Sequence, residues 1–269
     1  MPRSVRATTI LLRIAAPVAA VSGVAWLALI LINMTHDVGS ALDPEDLRLF
    51  FFETPFGTVS LFRLALLMLG VVIAFLPWSG GWRFAALVPV STLLLITQAW
   101  FGHSAEGEGL YRAAMITVYG VHTIAAAAWA GGLPALLFAI IEQRHLGPSE
   151  QARERTLDIC SRFSLMAMTA VTFAILSGIA NAYFRVVGSF LKLFDSDFGG
   201  VLLKKIAIVA GMLAVAYLNR FVLMPRLRAA PVKSMTQIIK LRYSLALDIV
   251  LGMLVLGASA ILGITMPPQ

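Results

Sequence analysis

Residues 243–265 read YSLALDIVLGMLVLGASAILGIT, and this stretch carries a single charged side chain, Asp248. The hydrocarbon core of a bilayer is about 30 Å thick, and an α-helix rises about 1.5 Å per residue, so about 20 apolar residues cross it. The stretch does not alternate between apolar and polar residues as a barrel strand does. It therefore predicts a transmembrane helix.

Six further stretches of the same kind precede this one. Hydrophobic residues make up 59% of the 269-residue chain and charged residues 13%, whereas soluble proteins have about 25% charged residues. Mean hydropathy is +0.86. We predict an all-α fold, a polytopic transmembrane helical bundle of about seven helices, forming a single membrane domain over residues 1–269. The predicted spans are 10–32, 58–76, 83–101, 114–141, 162–184, 201–223 and 243–265.

The distribution of lysine and arginine predicts the orientation of the bundle. The loops on the side of the N-terminus hold more cations than those on the opposite side, from Arg3 and Arg6 at the start to Arg226 and Arg228 after the sixth span. Cytoplasmic loops are enriched in lysine and arginine. We therefore expect the N-terminus inside and the C-terminus outside. The net charge of +7 then means that basic cytoplasmic loops face anionic headgroups.

Two segments that precede helices resemble each other. Thr54-Pro55-Phe56-Gly57 comes before the second span and Ser196-Asp197-Phe198-Gly199 before the sixth, and a cation, Arg63 or Lys205, follows each glycine at the same distance. This order predicts a parallel internal repeat in which spans 1–3 match spans 5–7. Two outer segments have the spacing of short interfacial helices, one capped by Asp43 and one over 186–194.

Imidazole and thioether groups gather toward the predicted outer face. Ionisable side chains inside a bilayer cost about 2.5–3.5 kcal/mol on insertion scales, so they mark candidate functional sites. Soft sulfur ligands and imidazole select copper, and Cu(I) in particular, over the hard cations that carboxylates prefer. We predict a copper site, with Cu(I) and Cu(II) both left open, among His103, His122, His36, Met34, Met115 and Met266.

Two other residues inside or near the spans are ambiguous. Asp248 has three interpretations, namely an exit-side copper ligand, a proton carrier, or an ion-pair partner of Arg162 or Arg220. Cys160 is the single cysteine, which excludes an internal disulfide, and we interpret it as structural.

The sequence lacks the motifs of several function classes. No nucleotide-binding loop, nucleophile elbow, metallopeptidase helix or nucleic-acid-binding motif occurs in it. We therefore expect transport without ATP, and no enzyme activity.

The chain resembles the copper resistance protein D family over about residues 54–267, which include His103, His122 and Asp248. The matching elements are Thr54-Pro55-Phe56-Gly57 with Arg63, Gly102-His103, His122 with Trp129-Ala130-Gly131-Gly132, Arg162-Phe163-Ser164, Ser177-Gly178-Ile179-Ala180-Asn181-Ala182, Phe198-Gly199 with Lys204, Asn219-Arg220, and Asp248 where we expect a glutamate. The family typically has eight spans, whereas this sequence shows seven.

The resemblance implies a multi-pass protein of the bacterial inner membrane that moves copper, beside a periplasmic CopC-like copper-binding protein. We expect copper to enter at the outer face through His103 and His122, with Met34, His36, Met115 and Met266 assisting and Asp248 near the exit. Two alternatives remain open: a membrane haem or quinone redox protein, and a copper sensor or docking partner that transports nothing.

Overall fold

The computed structural model describes residues 2–77, 81–100, 108–145, 149–185, 196–231 and 236–265. Over these residues the chain is helical and contains no strand. The α-helices are α1 Arg3–Thr35, α2 Pro44–Glu53, α3 Pro55–Phe75, α4 Trp82–Thr97, α5 Gly109–His145, α6 Glu150–Arg185, α7 Asp197–Leu218, α8 Met224–Ala229 and α9 Thr236–Ile264.

The predicted helical bundle is confirmed. Seven helical segments within the described residues are long and apolar enough to cross a membrane, with α7, a π-helical turn over Asn219–Leu223 and α8 forming one of them. Several helices are longer than the predicted spans: α6 begins at Glu150 where the prediction begins at 162. The reason is that hydropathy marks the apolar part alone, whereas the first turns of α6 are polar and are stabilised by an ion pair between Asp158 and Arg162.

Backbone contacts divide the chain into two units. The N-terminal unit contains Thr9–Gly120, and the C-terminal unit contains the described residues of 121–269 together with those of 1–8. The expectation of a single membrane domain stays a prediction.

In the N-terminal unit, the segment between α1 and α3 folds back onto α1. Asp43 caps α2 by accepting hydrogen bonds from the N–H groups of Glu45 and Asp46, as its position predicted. Phe50 of α2 is buried against Leu27 and Leu31 of α1. The second predicted interfacial helix, over 186–194, lies outside the described residues.

Arginine side chains connect the helices of this unit. Arg63 of α3 donates through Nη1 to the Leu94 carbonyl and the Thr97 hydroxyl of α4, both at 2.9 Å. Arg83 is buried and donates to the Leu76 carbonyl at 2.7 Å. Arg63 therefore joins α3 to α4.

The C-terminal unit is built around one apolar core. Trp129 and Leu133 of α5 pack there with Met212 of α7 and with Leu241 and Leu245 of α9. At one end, Glu142 of α5 accepts hydrogen bonds from the backbone N–H groups of Arg3, at 2.8 Å, and Ser4, at 3.2 Å. Because the first N–H groups of a helix have no partner within it, this carboxylate satisfies the start of α1.

The segments Thr54–Gly57 and Ser196–Gly199, which resemble each other in sequence, also begin their helices with the same hydrogen bond. Thr54 accepts a hydrogen bond from the Gly57 N–H at 3.0 Å, and Ser196 accepts one from the Gly199 N–H at 3.1 Å. The backbone angles of the two cap residues also agree closely. The full internal repeat and the orientation in the membrane stay predictions.

Candidate metal centre

Of the six predicted copper ligands, the structure describes Met34, His36, Met115 and His122. Met34 is 54% exposed at the end of α1, and His36 is exposed with a left-handed backbone angle (φ 58°). Met115 is buried on α5. His103 and Met266 lie outside the described residues, and within these residues no three His, Cys, Asp or Glu side chains form a metal-binding group.

His122 is held by the neighbouring helix α6. Its Nδ1 lies 2.9 Å from the Ala174 carbonyl oxygen and 3.3 Å from the Ser177 hydroxyl oxygen. A carbonyl oxygen only accepts hydrogen bonds, so Nδ1 must carry the proton. In a neutral ring the lone pair is then on Nε2, which is the arrangement of a histidine that ligates metal through Nε2.

A glycine on α6 makes room for the ring of His122. A Cβ atom on Gly178 would lie 3.2 Å from His122 Cε1 and 3.4 Å from Nδ1. These distances are tighter than ordinary van der Waals contact, so even an alanine would displace the ring by a few tenths of an ångström. Gly178 therefore helps to set where His122 lies.

A cavity of about 60 Å³ in the C-terminal unit, hereafter the Asp248 cavity, is lined by apolar side chains together with several polar or sulfur-containing ones. This space is large enough for water. The chemically active side chains that line it come from α6, from the π-helical turn with the start of α8, and from α9: Cys160, Ser164, Asn219, Arg220, Met224 and Asp248.

Asp248 is 1% exposed, and its Oδ1 has no hydrogen-bond partner among the described residues. The ion pairs considered for it do not form there. Arg162 instead pairs with Asp158, and Arg220 donates through Nη1 to the Ser164 hydroxyl at 2.5 Å. Arg220 nevertheless lines the same cavity as Asp248.

The π-helical turn explains how one helix supplies several lining residues. In an α-helix, residues five apart lie about 140° apart around the axis, because there are 3.6 residues per turn. The i to i+5 hydrogen bonds of a π-helix bring such residues close to the same face. Pro225 has no N–H to donate to the Phe221 carbonyl, which weakens the regular pattern at this point. Asn219 and Met224 thus both reach the cavity.

Part of this arrangement was not predicted from the sequence. Cys160 is interpreted there as structural, and Met224 is not among the candidates, yet both line the Asp248 cavity. The available signal was Asn219-Arg220, a polar pair inside an apolar span and five residues ahead of Pro225. Apolar residues on either side of this pair gave no indication of which helices it faces.

Comparisons with known proteins relate both parts of the chain to copper proteins. Residues 1–113 match the family model described as Copper resistance protein D-like, N-terminal domain, and residues 157–262 match Copper resistance protein D. All the chemically active residues of the Asp248 cavity lie in the second match, whereas Met115, His122 and Met266 lie in neither.

Three relatives illustrate the similarity. Copper resistance protein D of Pseudomonas syringae pv. tomato is 33% identical over 227 residues, covering 81% of this chain and 70% of the relative. Inner membrane protein YebZ of Escherichia coli (strain K12) is 29% identical over 178 residues, 65% of this chain and 58% of the relative. Copper transport protein CutJ of Bacillus subtilis (strain 168) is 28% identical over 187 residues, 67% of this chain and 33% of the relative. No solved structure matches the chain.

Proposed function

This chain belongs to the copper resistance protein D family, and on that premise we propose that it receives copper at its outer face and passes it inward across the inner membrane without ATP. It is a multi-pass inner-membrane protein, with seven membrane-capable helices within its described residues. The names of the family and of its relatives describe copper resistance and transport rather than an enzyme.

The observation that carries the proposal is the environment of His122. An imidazole within a membrane-spanning helix is costly unless it is used or hydrogen-bonded. Here Nδ1 donates to the Ala174 carbonyl, which fixes the ring orientation and favours a lone pair on Nε2. This supports His122 as a ligand that holds copper during its passage.

We assign the entry of copper to the predicted outer-face set. His103 would supply the second imidazole, and Met34, His36, Met115 and Met266 would assist capture as soft or borderline donors. On this proposal Asp248 acts later, toward the exit. A periplasmic CopC-like copper-binding protein would deliver copper to the outer ends of the helices.

The proposal is tested by measuring cellular copper in cells that express wild type or His122→Ala at equal membrane levels. We expect wild type to raise cellular copper above that of cells without the protein, and His122→Ala to remove most of this increase. The matched control is Thr117→Ala on the same helix, because the Thr117 hydroxyl bonds within its own helix, to the Ala113 carbonyl at 2.8 Å. This control should accumulate copper like wild type.

Equal copper in wild type and His122→Ala would contradict the proposal. Copper-dependent binding of a carrier protein that survives His122→Ala would then favour a sensor or docking partner. A Soret band in the purified protein would favour the haem alternative.

Independently, the nitrogen contribution to X-ray absorption at the copper edge should fall in the double variant His103→Ala/His122→Ala.

A further inference from the structure

We propose that the Asp248 cavity is a second copper site, in which the sulfur atoms of Cys160 and Met224 bind Cu(I) and the Asp248 carboxylate accepts the thiol proton. This inference rests on the proposed copper transport and gives it a second binding position inside the bundle. It differs from the outer-face site in its residues and in its ligand type, because sulfur replaces imidazole.

Within the described part of the chain, two buried polar atoms of residues that line the cavity have unmet hydrogen-bonding capacity. Asp248 is nearly inaccessible, and neither its Oδ1 nor the buried Oδ1 of Asn219 has a hydrogen-bond partner among the described residues. Buried polar atoms in folded proteins are almost always satisfied by protein, water or an ion. Two unsatisfied acceptors that border a space large enough for a small ligand therefore indicate that something occupies it.

The lining of the cavity also indicates the type of ligand. Cys160 and Met224 are soft donors, and soft thiolate and thioether groups favour Cu(I) over hard cations such as Mg²⁺ or Ca²⁺. Arg220 also lines this cavity. Its positive charge disfavours a divalent cation more than a monovalent one, because the repulsion scales with charge. The sulfur donors therefore favour Cu(I), and Arg220 repels this ion less than it would a divalent one.

Loading can proceed without a change of oxidation state. The Sγ–H bond of Cys160 breaks, an Sγ–Cu(I) bond forms, and the proton moves to the Asp248 carboxylate, where an O–H bond forms. Thiolate is the form of cysteine that binds metal. Because the proton stays within the cavity, the net charge there rises only by the single charge of Cu(I). Return of the proton from Asp248 to Cys160 releases the ion.

The structure of α7 and α8 supports a functional role for this position. The π-helical turn Asn219–Leu223 interrupts an otherwise regular membrane-spanning helix at the point where it meets the cavity. Such turns frequently occur at functional sites. Here the turn directs Asn219 and Met224 to the same space.

The test is a Cu(I) titration of the purified full chain in detergent, in competition with the chromophoric chelator bathocuproine disulfonate. We expect Cys160→Ser to bind one Cu(I) fewer than wild type, with reduced sulfur scattering at the copper edge. Met224→Leu and Asp248→Asn should weaken the same site. Met168→Leu is the matched control, because Met168 is half-exposed on α6 and does not line the cavity.

An unchanged copper count and sulfur signal in Cys160→Ser would overturn the inference. Cys160→Ser replaces one atom, so it tests the site even if Asp248→Asn fails to fold. The result is separable from the proposed function: His122→Ala should retain the sulfur-bound Cu(I) while it loses copper accumulation. If His122→Ala instead accumulates copper normally, the proposed entry path is wrong whatever the cavity binds.

Discussion

At the scale of single residues, the central feature is the position of the His122 ring, which α6 holds in place. The type of residue and its depth in the span were predictable from sequence, because an imidazole among apolar residues is conspicuous. Its partners were not, since Ala174 and Gly178 are ordinary residues in an apolar helix and only packing brings them to the ring.

Gly178→Ala should weaken copper binding without removing a ligand. The added methyl would lie 3.2 Å from His122 Cε1 and push the ring away from its present position. Changes next to a metal-ligating histidine cost about 10- to 100-fold in affinity, and we expect a loss in that range in a copper titration. Gly131→Ala on α5 is the control, because nothing lies within 4 Å of its Cβ position. Equal loss in both variants would contradict a specific role for Gly178.

At the scale of helices, the sequence predicted which segments are helical and what starts them. Asp43 was predicted as a cap and is one, and the likeness of Thr54 and Ser196 appears in their matching caps. Long apolar stretches are the strongest local signal, which is why the seven spans were found. The π-helical turn was not predicted, because it results from competition between backbone bonding and packing and leaves no periodicity of its own.

Gly57→Ala should strongly destabilise the α2–α3 junction. Its Cβ would lie 2.2 Å from the Phe51 carbonyl oxygen and 2.3 Å from that of Phe50, and these backbone atoms cannot move aside locally. We expect a loss of about 3 kcal/mol or more, measured as a lower thermal midpoint in detergent. Gly200→Ala, near the start of α7, meets no atom within 4 Å and should be neutral or stabilising by up to about 1 kcal/mol. A Gly57→Ala protein as stable as wild type would contradict this packing.

At the scale of the whole molecule, sequence alone was enough to identify a multi-pass membrane protein and its family. The Asp248 cavity was harder to predict, because Cys160, Met224 and Asp248 are distant in sequence and come from different helices. A short motif can be recognised locally, whereas a cavity inside a bundle depends on how helix faces meet. The orientation of the helices in the membrane is predicted from the distribution of lysine and arginine, and cysteine labelling tests it.

The predicted orientation places residues 42 and 110 on the outer side of the membrane and residue 151 on the cytoplasmic side. In a Cys160→Ser background, a membrane-impermeant maleimide should label Leu42→Cys and Leu110→Cys in spheroplasts, since both residues are highly exposed. Gln151→Cys, exposed at the start of α6, should be labelled only after the cells are opened. The opposite labelling pattern would show the C-terminus to be inside and would place the His122 entry path on the other face.

The most direct test of the central claim is radioactive copper uptake into sealed vesicles that contain only the purified chain and no ATP. We predict that wild type takes up copper faster than protein-free vesicles, that Thr117→Ala matches it, and that His122→Ala falls close to the protein-free rate. Uptake by His122→Ala at the wild-type rate would contradict the account, as would a wild-type rate equal to that of protein-free vesicles.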